Sequence, residues 1–576
     1  MKKKVRRWSP LLFIIIGLLF VVAVNIISSY VYKRFDLTSE KRYTLSPATI
    51  DLLKGLDDYV YFKVFLTGED MPAGFQRLRN ETREMLDEFA AHSKYVEYDF
   101  IDPSASDDGE LITQTYQELV DKGLQPTDLH VKTNKGSERK IIFPGAIVGY
   151  KDREVALQLL QSQIGVPSDE VLNNSIQSLE YEISNAIRKV TSKNKASVAF
   201  IDDYGCLTPA ETYSFELLLK EYYSVSRIQI NGQLTSLADI YEKGEDTVKM
   251  KNKYAAIIIA GPNEEVPEKD KFIIDQFIMR GGKVLWLVEP VYVSMDSLQN
   301  QPSTYAIGNA NNLTDQLFNY GVRLEPQLAL DIQCLSIPMT TGMVADRPQI
   351  EFFHWPYFPV LTPTEQHPIV KNLNAISTQF ISPITTIGVD GVKPTVLLST
   401  SPYSRTEQVP ALVSLKSLDA IDPSYYKEKN LPVAVLLEGT FPSLYDNRIP
   451  ENLMESNLID FVPVSKPTAM VVVSDADMVR NQFRAGDGYP LNVGYDQYVD
   501  IQFGNPELFL NVMNYLCDDS GLISVRSREL KLRALDKNKV KSYRTSIVLI
   551  NMVLPSLIII ICGIIFNMIR KRKYSK

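Results

Sequence analysis

The sequence predicts an α/β protein whose folded body lies between two transmembrane helices. Short, continuous apolar strands alternate with helical segments along most of the chain, which is typical of sheets covered by helices. One long apolar run lies near each end of the 576 residues. Apolar residues make up 45% and charged residues 23%, which is typical of globular proteins, so we expect the body to be folded throughout.

The two apolar runs are long enough to cross a membrane. Residues 11–27 carry no charge, and neither do residues 547–569, whereas a spanning helix needs about 20 apolar residues. A cleaved signal peptide is the alternative for the first run, and a buried core helix for the second. No A-x-A cleavage site follows the first run, and four consecutive bases follow the second. We therefore predict two anchors.

Two crossings would place both termini on one side of the membrane. Bases cluster in both tails, residues 1–10 and 570–576, but also after the first helix and before the second, so the positive-inside rule is nearly balanced. Long domains are translocated largely regardless of charge, and a short basic tail before a first helix is usually cytoplasmic. We predict cytoplasmic tails and a body outside the cytoplasm.

The first part of the body has the element order of a thioredoxin-like domain, without redox cysteines. Strand, helix, strand and helix are followed by paired strands. The expected elements are strands at 59–66, 96–101 and 128–132, a helix at 75–92, and a hairpin joining 140–143 to 146–150. A long helix at about 173–190 leads out of this domain. Its apolar residues fall on one face: Ile176, Leu179, Ile183, Ile187 and Val190.

The second part of the body predicts a flavodoxin-like parallel sheet. Continuous apolar strands separated by helices are typical of parallel strands that are buried on both faces. Strands are expected at 196–201, 223–230, 254–260, 283–288, 395–398, 434–437 and 469–473, and helices at 208–222, 269–279 and 506–516. We expect an insertion rich in proline and aromatic residues at about 300–390.

These patterns define a complete domain map. It consists of a tail (1–10), a transmembrane helix (11–27), a connector (28–58), the thioredoxin-like domain (59–170), a linking helix (171–195), the α/β domain (196–525), a basic stretch (526–546), a second transmembrane helix (547–569) and a tail (570–576).

Acidic residues at strand ends are the first candidates for chemistry, because open α/β sheets bind ligands at the carboxyl ends of their strands. Asp202, Asp203, Asp475 and Asp477 occupy such positions. Paired carboxylates could hold Mg²⁺ or Ca²⁺. No further ligand spacing supports a metal, so we favour helix caps or solvent-facing acids and predict no metal or cofactor.

The remaining chemistry-bearing residues favour no catalytic site. Cys206 follows a strand, but the neighbouring acids Asp202 and Asp203 would raise its pKa rather than activate it. The histidines lack metal-ligand spacing, and there is no GxxxxGK[ST] phosphate-binding loop. Trp355 and Tyr357, in the phrase FHWPYF, are expected to pack a loop or to contact a partner.

Charge is unevenly distributed along the chain. Acids outnumber bases in the body, which excludes nucleic acid as the expected partner because duplex binding needs bases against phosphates. Residues 526–544 are instead strongly basic, directly before the second apolar run. This stretch predicts contact with lipid headgroups or with an acidic partner. Its candidate contact residues are Lys531, Arg533, Lys537 and Lys539.

Several phrases resemble one family. They are RFDLTSEKRYTLSPAT at 34–49, FHWPYFPVLTP at 353–363 with HPIVKNLN and SPI after it, GNPELFLNVMNYL at 504–516 and RSRELKLRALDKNKV at 526–540. In this order they resemble the auxiliary subunits of bacterial ABC-2-type exporters, and within them the gliding-motility members. Relatives often carry Gly-His-Gly-Glu where this chain has Asp203-Tyr204-Gly205-Cys206, so no role of that histidine is carried over.

The resemblance implies an inner-membrane anchor, a periplasmic body with a class I amidotransferase-like fold that lacks catalytic residues, and association with a separate permease and ATPase. The implied function is a non-catalytic auxiliary subunit of an ABC export complex that supports gliding motility and the associated protein secretion apparatus. A ligand-binding module that delivers substrate to the permease, and an envelope hydrolase that uses the strand-end acids with Cys206, are the alternatives.

Overall fold

The structure is a computed structural model with two compact units, Met1–Arg528 and Glu529–Lys576. It describes residues 15–23, 25, 44–68, 71–106, 108–133, 136–192, 195–243, 248–344, 347–415, 421–446, 448, 459–484, 486–518, 520–527 and 537–574. Several sheets and helices alternate along the chain, which confirms the predicted mixed α/β class.

The first part of the larger unit contains six strands. They are β1 (Val60–Val64), β2 (Val96–Phe100), β3 (Thr127–Thr133), β4 (Gly136–Ile142), β5 (Gly145–Tyr150) and β6 (Arg153–Gln158). Four of them form a sheet in the order β2-β1-β5-β6. Strands β1 and β2 are parallel, whereas β5 is antiparallel to both β1 and β6. Alternate residues of β1 are buried, because one face of the strand packs on the core.

Four helices accompany this sheet. They are α1 (Pro47–Lys54), α2 (Ala73–His92), α3 (Gly109–Asp121) and α4 (Ser168–Thr191). Helix α1 begins where Pro47 occupies the first turn and the Ser46 hydroxyl accepts a hydrogen bond from the Thr49 amide at 3.1 Å. The five apolar residues predicted on one face of the linking helix are all buried in the core of this region, which confirms that amphipathic pattern.

The predicted hairpin between residues 140–143 and 146–150 is wrong. Strand β4 pairs with β3 in a separate two-stranded sheet, and β5 pairs with β6 instead. Lys151 adopts a positive φ of 53° in the turn between β5 and β6. The tight turn therefore lies after residue 150, whereas Pro144 and Gly145 only connect two different sheets.

A seven-stranded sheet forms the centre of the second part. Its strands are β7 (Ser197–Ile201), β8 (Ser224–Ile228), β11 (Ala256–Ala260), β12 (Lys283–Leu287), β21 (Val392–Ser399), β24 (Pro432–Gly439) and β25 (Thr468–Val473). Their order is β21-β24-β25-β12-β11-β7-β8. All seven predicted strand positions therefore fall in one sheet.

The sheet is mixed rather than parallel throughout. Strands β25, β12, β11, β7 and β8 are mutually parallel, but β24 runs antiparallel to both β25 and β21. The parallel prediction was wrong at this position because a buried strand has the same apolar pattern in either direction. An antiparallel strand toward one edge of a parallel sheet is common.

Helices cover both faces of the seven-stranded sheet. They are α5 (Tyr213–Lys220), α6 (Glu268–Met279), α8 (Thr314–Tyr320) and α9 (Asn505–Cys517), whereas the short helix α7 (Met295–Asn300) packs in the core of the insertion. One core combines strand residues with Phe215 of α5 and Phe509 of α9. A second core combines strand residues with Phe277 of α6 and Tyr320 of α8. The two cores lie on opposite faces because adjacent residues of the same strands enter different cores.

The remaining strands form small sheets around the central one. They are β9 (Ala238–Lys243), β10 (Val248–Asn252), β13 (Val291–Tyr292), β14 (Ser303–Gly308), β15 (Val322–Leu324), β16 (Gln327–Asp331), β17 (Cys334–Val344), β18 (Arg347–Leu361), β19 (Ile376–Ser377), β20 (Ile384–Thr386), β22 (Ser404–Gln408), β23 (Ala411–Ser414), β26 (Tyr495–Asp496) and β27 (Ile501–Gln502). Most of them lie between β12 and β24, in and just beyond the predicted insertion.

The smaller unit contains helices α10 (Lys537–Ser542) and α11 (Arg544–Tyr574). The helical segment Arg544–Lys573 is long and apolar enough to cross a membrane. Among the described residues, no other helix meets both conditions. Residues 15–23 and 25 of the first predicted crossing are helical. The rest of that crossing lies outside the described residues, so the two-pass arrangement stays a prediction.

The end of α6 provides a test of packing in the second core. A Cβ atom added to Gly282 would overlap the buried ring of Phe277. We expect Gly282→Ala to lower the free energy of unfolding by about 1–3 kcal/mol, because overpacked cores force shifts of their neighbours. Thermal unfolding of the full chain in detergent measures the change. Gly308→Ala, where nothing lies within 4 Å, is the control, and equal melting temperatures for the two variants would contradict the packing.

Candidate functional site

Three carboxylates meet at the carboxyl ends of adjacent strands. Glu289 follows β12, and Asp475 and Asp477 follow β25. Because these two strands are parallel neighbours, the residues that follow them emerge at the same edge of the sheet. One oxygen from each carboxylate lies within 4.8 Å of the others. We call this group the carboxylate cluster.

Backbone amides and one arginine form hydrogen bonds and an ion pair with the oxygens of the carboxylate cluster. The buried Asp475 carboxylate accepts hydrogen bonds from the amides of Gln379 at 2.9 Å and Asp477 at 2.8 Å. Glu289 accepts one from the Ala476 amide at 3.0 Å. Arg480 lies 2.6 Å from Asp477. These contacts fasten the segment after β25 to the segment that carries β19.

Arg480 extends the network to a second loop. Its guanidinium also lies 3.1 Å from Glu211, just before α5. Glu211 in turn accepts hydrogen bonds from the amide and hydroxyl of Thr208, at 2.8 and 2.7 Å. Arg480 therefore joins the segments that follow β7 and β25, and the Asn481 amide, which donates to the Glu211 carbonyl at 2.7 Å, reinforces the link.

Burial changes the proton affinity of the carboxylate cluster. Burial, and then the neighbouring Asp477 charge, raise the pKa of Glu289 to about 7. Burial followed by the charges of Asp477 and Glu289 raises the pKa of Asp475 well above its ordinary value. Burial also raises the pKa of Asp477, against the opposing effect of Arg480. The carboxylate cluster therefore binds protons more strongly than exposed carboxylates do.

The contacts favour a structural role for the cluster over a metal site. Carboxylate oxygens are the ligands that Mg²⁺ and Ca²⁺ prefer. Here several of these oxygens already accept hydrogen bonds from backbone amides and Arg480. Of the four acids singled out in the sequence, Asp475 and Asp477 belong to the cluster. Glu289 was missed, although it also follows a buried strand directly and the same rule would have identified it.

Asp202 and Asp203 have other partners. Asp202 pairs with Arg227 at 2.6 Å, and Asp203 accepts a hydrogen bond from the Ile230 amide, also at 2.6 Å. Both contacts fasten the end of β7 to the edge strand β8 and the loop after it. These two acids therefore stabilise the packing of β7 against the edge strand β8.

Cys206 is not poised as a nucleophile. Burial, reinforced by the nearby charges of Asp203 and Asp202, raises the pKa of its thiol to about 12. A thiol with that pKa is protonated at neutral pH, and the thiolate is the reactive form. This environment agrees with the expectation from the sequence that the neighbouring acids oppose activation.

The aromatic candidates lie in the core of the insertion. Trp355 is 2% exposed and Tyr357 is 7% exposed, and both pack with Phe358 and Phe380. The Tyr357 hydroxyl donates a hydrogen bond to Glu407 at 2.9 Å. Their burial fits the predicted packing role rather than contact with a partner, because neither side chain offers much surface.

The structure describes two of the four candidate basic residues. Lys537 and Lys539 belong to α10 in the smaller unit, and Lys539 is exposed. Lys531 and Arg533 lie outside the described residues. A role of this stretch in binding lipid or a partner therefore stays a proposal.

The sequence of the α/β region decides the family. The family model described as an ABC-type uncharacterized transport system, an ABC transporter auxiliary family, matches residues 195–512. The match spans more than half of the chain and includes every strand of the seven-stranded sheet. The chain belongs to this ABC transporter auxiliary family.

Other comparisons add less. A domain of unknown function matches residues 39–149, which include β1 to β4. No curated protein matches the chain. A solved structure titled "mmIFT52 N-terminal domain" is 12% identical and covers 56% of this chain and 98% of its own, with a TM-score of 0.31. That score is too low to support an argument from the likeness.

Membership in this family indicates that the protein takes part in an ABC-type transport system. An auxiliary protein of a transport system assists other components, which agrees with a non-enzymatic role. The apolar helix at Arg544–Lys573 agrees with membrane association. The seven-stranded sheet and its carboxylate cluster fall within the matched residues 195–512.

Removal of one cluster carboxylate should stabilise the protein at alkaline pH. The pKa of Glu289 is raised from 4.5 to about 7, so the folded state gains stability by holding its proton and loses that gain as the pH rises through this range. Gln stays neutral at every pH. We expect Glu289→Gln to raise the free energy of unfolding by on the order of 2 kcal/mol at pH 8 and to change it little at pH 4.

Glu211→Gln is the matched control. Although burial opposes it, hydrogen bonds from Thr208 and the charge of Arg480 lower the pKa of Glu211, so its ionised form stabilises the fold. This variant should therefore be destabilised at pH 8. Thermal unfolding of full-length variants at both pH values provides the comparison. A Glu289→Gln variant that is less stable than the parent at pH 8 would contradict the raised pKa of Glu289.

Proposed function

We propose that this protein is a non-catalytic, membrane-anchored auxiliary subunit of an ABC export complex. The match of residues 195–512 to the ABC transporter auxiliary family is the observation that carries the proposal. The apolar helix Arg544–Lys573 supports the anchor. The protonated thiol of Cys206 and the hydrogen-bonded carboxylate cluster support a body that organises partners rather than one that performs chemistry.

The proposed partners are an ABC-2-type permease and a separate ATPase. One or two membrane helices cannot enclose a selective pathway. The sequence also lacks the GxxxxGK[ST] loop that holds ATP phosphates. A transport role therefore requires other subunits to supply the pathway and the energy. The resemblance to gliding-motility members extends the proposal to gliding motility and the associated protein secretion apparatus.

The strand order supports finer fold assignments. We infer a thioredoxin-like domain because β2-β1-β5-β6 combines a parallel pair with an antiparallel hairpin. The order β8-β7-β11-β12-β25, with all five strands parallel, supports a flavodoxin-like and amidotransferase-like domain. The proposed domain bounds remain 59–170 and 196–525.

We propose a two-pass topology in the inner membrane, with both termini cytoplasmic and the body periplasmic. The helical residues 15–23 and the helix Arg544–Lys573 support two crossings. The family supports a membrane location without fixing the side on which the body lies.

Reporter fusions test this topology. A reporter that is active only outside the cytoplasm should be active when it is inserted near Gly244 and silent at either terminus. Activity at the termini with silence near Gly244 would mean that the basic residues 526–544 dominate the orientation.

Co-purification tests the partner contact. We expect simultaneous change of four bases to Gln to weaken co-purification with the permease severalfold in low salt, because each base near an acidic or anionic surface contributes about 1 kcal/mol. The four are Lys531, Arg533, Lys537 and Lys539. The control replaces four exposed bases of the body: Lys54, Lys151, Lys249 and Lys429. If both quadruple variants recover the same amount of permease, the basic stretch only links the body to the membrane helix.

A ligand-binding module is the second candidate function. It is favoured by a cavity of about 360 Å³ between the two sheet regions, a volume in the range of small-molecule sites. This function is compatible with an auxiliary subunit, because a bound ligand could regulate the subunit or be passed to the permease.

A further inference from the structure

The hairpin of β17 and β18 extends beyond the core of the insertion. Ile337, near its base, still packs against that core. None of the described residues between 338 and 353 belongs to a hydrophobic core. Among the described strands, β17 pairs with β18 alone, and β18 pairs with β19 only at Val360 and Leu361. The outer part of the hairpin is therefore a two-stranded ribbon with two open edges.

One face of this ribbon is apolar. The register places Pro338 opposite Phe352 and Thr340 opposite Ile350. The extra residue at the register shift after Thr340 brings Met343 to the same face. Met343, Ile350 and Phe352 are 66%, 54% and 49% exposed. We call these five residues the apolar ribbon face.

A carboxylate lies on the opposite face of the ribbon. Glu351 is opposite Met339 in the register, and its carboxylate accepts a hydrogen bond from the Gln349 side chain at 2.8 Å. No residue of the apolar ribbon face is charged, and the face ends at its base where Ser336 Oγ and His354 Nδ1 lie 3.2 Å apart. A strand face that points to water is usually polar. An uncharged apolar face in this position indicates a contact surface.

The edges of the ribbon disfavour a partner strand. Strand β17 contains Pro338 and a bulge at Thr341, and β18 contains Pro348. Proline lacks the amide donor that a strand ladder needs, and prolines and bulges on an edge interrupt pairing with a further strand. A partner of this ribbon therefore packs its side chains on the apolar face.

The same open edges exclude insertion into the hydrocarbon of a membrane. Unpaired backbone N–H and C=O groups find no hydrogen-bond partner there, so open sheet edges do not occur in contact with lipid chains. The apolar ribbon face is therefore suited to a protein surface.

The size of the face restricts the partner further. A fully exposed apolar side chain of this size offers on the order of 200 Å². Three partly exposed ones supply about half of the roughly 800 Å² that each partner of a stable interface buries. The face is too small to hold a stable dimer of this chain by itself. It is sufficient for a partner that the chain also contacts elsewhere, because a second contact raises the effective concentration.

We propose that the apolar ribbon face docks on an uncharged, apolar surface of the permease. This inference rests on the proposed function, in which the helix Arg544–Lys573 provides the second contact within the membrane. The hairpin lies inside residues 195–512, which match the transporter auxiliary family. Because neither surface is charged, salt that weakens contacts of the basic stretch should leave this contact intact.

Photo-crosslinking in cells that contain the complete export complex tests the proposal. The photo-reactive residue benzoylphenylalanine is placed in the full chain at positions 349, 350, 351 and 352, one at a time. All four positions are exposed. Positions 350 and 352 should crosslink to the permease and positions 349 and 351 should not, because successive residues of a strand point to opposite faces.

Co-purification of the permease provides a second measurement. The double variant Ile350→Gln and Phe352→Gln should lower its recovery severalfold at both low and moderate salt. The matched control is Ile240→Gln with Tyr241→Gln, because these apolar residues are 43% and 64% exposed on the two-stranded sheet of β9 and β10. The control should recover as much permease as the parent. Both double variants should keep the parent melting temperature, since exposed side chains contribute little to stability.

The outcomes separate this proposal from the proposed function. If the parent recovers the permease but positions 350 and 352 do not crosslink to it, docking through the ribbon is wrong and the export role is unaffected. Equal crosslinking from all four positions would also contradict a contact through one face. If the parent recovers no permease, the proposed function and the docking proposal are both wrong. A crosslink between two copies of this chain would assign the face to self-association and overturn the proposal.

Discussion

Helix α4 packs against both sheet regions, and the architecture of the larger unit depends on these two sets of contacts. One face buries Ile176, Leu179, Ile183 and Ile187 in the core of the four-stranded sheet. On another face, Arg188 lies 2.8 Å from Asp518 and donates to Asn514 at 2.7 Å, at the end of α9. The side chains of this ion pair are only 18% and 13% exposed, so breaking it would leave a largely desolvated charge unpaired, and the pair helps to hold the helix against the seven-stranded region.

The same arrangement leaves a polar cleft of about 360 Å³ between the two sheet regions and supports the segment that leads to the C-terminal helix. Tyr181 of α4 packs with Leu522, Ile523 and Val525, and the guanidinium of Arg526 lies over its ring. Glu182 and Asn185 of α4 and Glu507 and Asn511 of α9 contribute polar groups to the lining of the cleft. At the carboxyl edge of the sheet, buried carboxylates, backbone amides and Arg480 connect loops in a comparable way, so polar contacts organise the loops around two apolar cores.

Local patterns predicted much of the fold. The apolar periodicity of α4 and the seven buried strands depend on neighbouring residues, and they lie where the sequence placed them. Strand pairing depends on distant residues, so the partner of β4 and the direction of β24 could not be derived locally. Asp475 and Asp477 were identified by their position after a strand. The pairing of Arg188 with Asp518, and the cleft itself, arise only when segments more than 300 residues apart meet, and no local signal marks them.

Hydrogen exchange on the Arg188→Met variant of the full chain tests the shared role of α4 most directly. Loss of Arg188 leaves the partly buried Asp518 carboxylate unpaired, which costs at most about 3–5 kcal/mol, so amides in both α4 and α9 should exchange faster together. Arg77→Met is the control, because Arg77 also hydrogen-bonds α4, through Asn173, but at an exposed position. It should leave both helices protected. Unchanged exchange in α9 of the Arg188→Met variant would contradict the coupling of the two sheet regions through α4.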